Sequence, residues 1–201
     1  MGITKQYKGV LKGLGQYWSA YGKLAALISS PFLHSAALLT MLCFPLWWAK
    51  DWWDKSLSIL PSVLGFSIAG FALLLGVGND RFRSLLGVKR EGRNHSTLSK
   101  TSAGFFHFVL IQALALAVAL IASGRPLSVM LAALDANELL GAKILQITAK
   151  LFRFAGFFLL CYSLMTALAA TLSIFRLATV FSGFATREES KKNLSAANAP
   201  E

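Results

Sequence analysis

Apolar residues gather into four long runs, 24–48, 57–78, 104–123 and 151–181, separated by short polar and charged segments. A hydrocarbon core about 30 Å thick takes roughly 20 residues of helix to cross, and each run reaches that length. The pattern predicts an all-α integral membrane protein with four transmembrane helices. Ahead of the first run, Tyr7, Leu11, Leu14, Trp18 and Tyr21 recur at alternating steps of four and three, with Lys5, Lys8 and Lys12 on another stripe. That spacing predicts an amphipathic interfacial helix over residues 1–23, aromatics at the headgroup boundary and lysines on anionic lipid. A cytoplasmic helix packing the same stripe on a partner is the competing reading. Gly9, Gly13 and Gly15 weaken either helix.

Breakers and caps refine the boundaries. Ser29-Ser30-Pro31 suits the start of the first span, serine as cap and proline in the first turn, although Pro31 can equally kink a longer helix. Pro45 bends or ends its far side. Residues 79–103 form a basic cytoplasmic loop. In the connection 126–150, Pro126 opens a short extracytoplasmic helix, Leu127 to Leu134, and Asp135 with Glu138 has capping-box spacing. No proline interrupts the chain from there into the fourth span, so a helix from about Ala136 to about Phe184 must project from the bilayer or tilt. The tail 182–201 is small, polar and charged and is expected to be flexible.

Composition excludes a soluble domain. Of 201 residues, 55% are hydrophobic and 14% charged, against about 25% charged in typical soluble domains. The net charge of +11 is distributed unevenly. Four cations precede the first span (Lys5, Lys8, Lys12, Lys23), six lie in the middle loop (Arg81, Arg83, Lys89, Arg90, Arg93, Lys100) and three in the tail (Arg187, Lys191, Lys192). The other side holds two, Lys50 and Lys55, and three, Arg125, Lys143 and Lys150. Retention of Lys and Arg on the cytoplasmic side then predicts an inner (plasma) membrane protein with both termini inside. Trp47, Trp48, Trp52 and Trp53 fit an aromatic belt at the outer interface. The first run is too long, and too far from the start, for a cleaved signal peptide. Cys43 and Cys161 fall inside spans and read as free thiols, not a disulfide or a metal site.

The most ordered feature is in the second span. Ser58, Ser62, Gly65, Ala69, Ala72 and Gly76 follow steps of four and three, making one stripe of small residues from end to end. Lipid supplies no hydrophobic force between helices, so association relies on close packing, and small stripes let backbones approach. The stripe serves packing within the chain, contact between subunits, or a narrow pore lining. Gln112, Ala115, Ala119 and Ala122 form a similar stripe in the third span, and Gly156, Ser163, Thr166, Ala170 and Ser173 in the fourth. Tight internal packing explains both.

Candidate chemistry is sparse. No span carries an acidic residue at its middle, which counts against coupled transport. His34 and His107 sit within a turn of their helix starts and read as interfacial donors; His95 has no partner at metal-ligand spacing. No nucleophile elbow, zinc-protease motif, phosphate loop or CxxC pair occurs, so no catalytic residue, metal or cofactor is expected. The six middle-loop cations attract anionic headgroups at about 1 kcal/mol each or dock an acidic cytoplasmic protein; nucleic acid is disfavoured, because only Phe82 is interleaved.

In format the chain resembles small four-span bacterial membrane proteins that work beside a cytoplasmic partner, membrane subunits of anti-phage systems among them. The resemblance is architectural and transfers no functional residue. The expected function is a non-enzymatic membrane subunit that self-associates through its small-residue faces and anchors or signals to a cytoplasmic partner. An oligomeric pore and a lipid-handling enzyme, the latter using Asp80 or Arg81, are the alternatives.

Overall fold

The computed structural model describes residues 2–48, 51–76, 80–89, 92, 94–125, 129 and 139–197. All regular structure among them is helical. In chain order the helices are α1 (Ile3–Tyr21), α2 (Lys23–Ile28), α3 (Pro31–Leu42), α4 (Phe44–Trp48), α5 (Trp53–Gly76), α6 (Asp80–Gly87), α7 (Thr97–Ser123) and α8 (Leu139–Ala197). Three are long and apolar enough to cross a membrane, over Trp53–Leu73, Thr97–Ser123 and Gln146–Leu194. Of the expected short helix 127–134 only Val129, in helical conformation, is among the described residues; its capping residues Asp135 and Glu138 are not.

The first apolar run is three helices, not one. Gly22 (φ 107°) and Lys23 (φ 60°) turn the chain between α1 and α2 in the left-handed region. Gly22 is required there, since a Cβ would come within 2.9 Å of the Ala26 methyl. Ser29 and Ser30 then interrupt the run, and Pro31 takes the first position of α3, where its missing N–H costs nothing. Cys43 breaks it again before α4. At 12 residues, α3 is shorter than the other apolar helices.

The basic segment 79–103 is also more ordered than a loop. Helix α6 occupies its start, and α7 begins at Thr97, where the Ser96 hydroxyl accepts from the Ser99 N–H at 3.2 Å. The expected flexible tail is corrected too: α8 continues to Ala197, 59 residues in all, about 88 Å at 1.5 Å per residue. Its C-terminal end is packed against α6. Phe82 of α6 is buried against Phe181 and Phe184, with ring centroids 5.0 and 5.4 Å apart, and Arg81 pairs with Glu188.

The bundle is assembled by α5, α7 and α8, each packed on the other two, with α3 laid along α8 and α1 against α7. Its tightest contact is between α5 and α8. The Trp52 indole, 2% exposed, lies directly on Gly156, where a Cβ would overlap the ring. Further along the same pair of helices, Gly70 lets Ile174 and Phe105 approach to 3.0 and 3.5 Å of where its Cβ would be. Small residues line the interior of α7, where Ala115, Ala119 and Ala122 are buried, and of α8, where Ser163, Thr166 and Ala170 are. Gln112 of α7 donates across the bundle to the Ser67 hydroxyl of α5 at 2.8 Å. Hydrogen bonds of this kind contribute only about 0.6 kcal/mol in membrane proteins, so close packing dominates.

Gly156→Ala should therefore overpack the bundle at a cost of roughly 1–3 kcal/mol. The expected result is a lower thermal midpoint in detergent, restored by adding Trp52→Leu. Gly65→Ala, with nothing within 4 Å of the new methyl, should leave the midpoint unchanged; equal effects at the two glycines would contradict the packing described.

Candidate functional site

Chemistry-bearing side chains converge at the end of the bundle where α1 meets α7 and α8. His107 of α7 is 3% exposed and bonded through both ring nitrogens. Tyr17 of α1 lies 2.6 Å from Nδ1, and Tyr162 of α8 lies 2.8 Å from Nε2. Tyr21 stacks on the imidazole at 4.2 Å and shares a side-chain hydrogen bond with Tyr162. The donor and acceptor roles follow the tautomer of His107, and one of its two tautomers gives the following chain. The Tyr17 hydroxyl donates to Nδ1, Nε2–H donates to the Tyr162 oxygen, and the Tyr162 hydroxyl donates to Tyr21. Burial, with Tyr21 adding to it, pushes the Tyr17 phenol up to about 12, so it remains a neutral donor. Ser19, bonded to His95 at 3.1 Å, ties α1 to the segment before α7.

This relay is a latch for the N-terminal helix. It rests on rings spaced 90 and 55 residues apart in the chain, and its local sequence signal is only a histidine one turn inside an apolar run. The expectation that His107 is a free interfacial donor is corrected: it is a buried bridge between three helices. His34 is exposed, as an interfacial residue would be.

Next to the latch lies a cavity of about 220 Å³. Its α8 wall is Tyr162, Thr166, Ala169, Ser173 and Arg176, a single stripe, and Tyr21, Ser30, Phe32 and Phe108 face it. The break between α2 and α3 opens onto it through Ser30. Among the described residues no cluster of His, Cys, Asp and Glu has the makings of a metal site.

The residues singled out from sequence divide sharply. On α1, Tyr7, Leu11, Leu14 and Trp18 are exposed on one face and free to meet lipid, but Tyr21 turns inward to the latch. Of the aromatic belt, Trp48 is half-exposed beneath the Lys150 ammonium, and Trp53 lies beside the Arg125 guanidinium, which also pairs with Asp51 at 3.0 Å. Trp47 donates to the Thr40 carbonyl at 2.9 Å. Trp52 is not a belt residue; it is core, because Gly156 provides a seat for its ring. In the basic set, Arg81 is engaged by Glu188, while Lys89 and Lys100 are exposed. The side chains of Arg83, Arg90 and Arg93 lie outside the described residues.

The second-span stripe has the opposite fate from those of α7 and α8. Ser58, Ser62, Gly65, Ala69, Ala72 and Gly76 are all exposed. Trp52, just before α5, and Ser56, Leu60, Ser67 and Gly70 of α5 turn into the bundle instead. Packing of the stripe against another span of the same chain is therefore corrected.

Tyr17→Phe should leave a buried nitrogen of His107 without its donor, a cost of about 1–3 kcal/mol. Amide hydrogen exchange across α1 is expected to quicken, whereas Tyr7→Phe, on the exposed face, should change nothing. Unaltered exchange in Tyr17→Phe would show that the latch does not hold the helix.

No protein family, no characterised protein and no solved structure matches this chain.

Proposed function

We propose that the chain is a four-span protein of the plasma or bacterial inner membrane, with α2–α4, α5, α7 and the central part of α8 as its spans. Both termini lie in the cytoplasm. The protein works as a non-enzymatic subunit that self-associates through α5 and holds a basic face toward a cytoplasmic partner, as an anchor or sensor. The basic face is built on α6 and the segment before α7, with Arg81, Lys89 and Lys100; the sequence adds Arg83, Arg90 and Arg93, whose side chains lie outside the described residues.

The observation that carries this reading is the outward stripe of α5. Exposed helix faces in a bilayer normally present large apolar side chains, and α5 has these too at Phe66, Ile68 and Leu73. Between them, an uninterrupted strip of small residues offers lipid little surface. It suits a second helix, whose backbone could come close enough for extensive contact. The interior stripes of α7 and α8 are already occupied by the chain itself, whereas the α5 stripe lies on the outside. The tie between α6 and α8 supports the cytoplasmic half of the proposal. Phe82 and Glu188 hold α6, the start of the basic segment, on the C-terminal part of α8.

Gly65→Leu and Ala69→Leu should shift the protein from oligomer to monomer on a native gel in mild detergent. A Cβ at Gly65 meets nothing within 4 Å and Ala69 is exposed, so the thermal midpoint of the monomer should be retained. Leu120→Ala, an exposed position on α7, should migrate as wild type. An oligomer that survives both α5 substitutions contradicts self-association through this face.

A further inference from the structure

Arg176 is an exposed cation about one turn from the end of the apolar part of α8. It lies on the wall of the cavity beside the latch, and among the described residues it makes no hydrogen bond or ion pair. A guanidinium at the margin of an apolar span is costly unless it reaches water or an anion. No aspartate or glutamate lines the cavity to supply that anion. The remaining wall is of two kinds. Ala26, Phe32, Phe108, Ala169 and Leu172 are apolar, whereas Tyr21, Ser30, Tyr162, Thr166 and Ser173 carry hydroxyls. Ser30 is also the N-cap of α3, yet its hydroxyl caps nothing, and the positive end of the α3 dipole faces the same space.

From this we infer that the cavity is a binding site for one anionic glycerophospholipid of the cytoplasmic leaflet. Its phosphate lies on Arg176, with Ser30 as a further donor, and the start of an acyl chain lies between Phe32, Phe108 and α8. Lipid is favoured over a free soluble anion because the walls require an apolar partner as well as a charge. An anionic headgroup is favoured over a zwitterionic one because an ammonium would find no carboxylate here. Tyr21 and Tyr162 belong to both the cavity and the latch, so an occupying lipid touches the residues that hold α1. The inference rests on the membrane topology proposed above, with Arg176 toward the cytoplasmic side.

Native mass spectrometry of the full chain in mild detergent tests it, with phosphatidylglycerol and phosphatidylcholine of identical chains as probes and inorganic phosphate as competitor. Wild type should retain phosphatidylglycerol about tenfold better than phosphatidylcholine, the worth of one charge-assisted hydrogen bond. Arg176→Gln should erase that preference, and Ala169→Phe, which fills the cavity, should reduce retention of both lipids. Arg187→Gln, further along α8, should behave as wild type. The inference is overturned if Arg176→Gln keeps the preference, if Arg187→Gln loses it equally, or if inorganic phosphate displaces the lipid as well as a second lipid does. The same spectra report oligomeric state. A monomer that still selects phosphatidylglycerol removes self-association alone, and an oligomer that does not select removes the lipid site alone. Labelling of a Thr186→Cys variant from outside the cell would remove the shared topology.

Discussion

The contact of the Trp52 indole with the bare Cα of Gly156 fixes everything else about α5. A ring of that size can be buried at a helix crossing only where the facing residue has no side chain, and α8 offers that seat at Gly156. Once the indole is seated, the rotation of α5 about its own axis is set. Ser56, Leu60, Ser67 and Gly70 follow Trp52 into the bundle, and Gly70 closes the second point of contact against Ile174 and Phe105. Two such points, 18 residues apart, leave the helix no freedom to turn its other face inward. The small-residue stripe faces outward as a consequence.

That consequence was not legible in the sequence, for a geometric reason. Ser58 and Ser56 are two residues apart, which at 100° per residue places their stripes roughly 160° apart on the helix. Both stripes keep the helical spacing and both contain small residues. Local pattern shows that α5 has two packing faces without saying which one the chain uses. Trp52 had the same ambiguity: just past an apolar run, a tryptophan reads as an interfacial anchor, and only the glycine 104 positions later makes it core. By contrast, Gln112, Ala115, Ala119 and Ala122 lie on a helix with a single small face, and that face is buried.

The helical class and the long apolar helices were legible because they depend on run length, a local property. The latch was not, because a hydrogen-bonded chain from Tyr17 through His107 to Tyr162 joins residues on three helices. The α8 tail was misread for a related reason. Polar composition suggested a flexible end, but Phe181, Phe184 and Glu188 sit at spacings of three and four along α8, and α6 supplies the partners that hold them. In each case the deciding contact lies far away in the chain.

The arrangement joins a packed interior to two further features, the outward α5 stripe and the cavity beside the latch. The central claim is that the stripe is the face on which copies of the chain meet. Cysteine cross-linking in native membranes tests it most directly, in a background where Cys43 and Cys161 are replaced by alanine. Ala69→Cys should give a disulfide-linked dimer on mild oxidation, while Ser67→Cys, buried on the opposite face, should remain monomeric. Dimers from Ser67→Cys, or none from Ala69→Cys, would contradict the account.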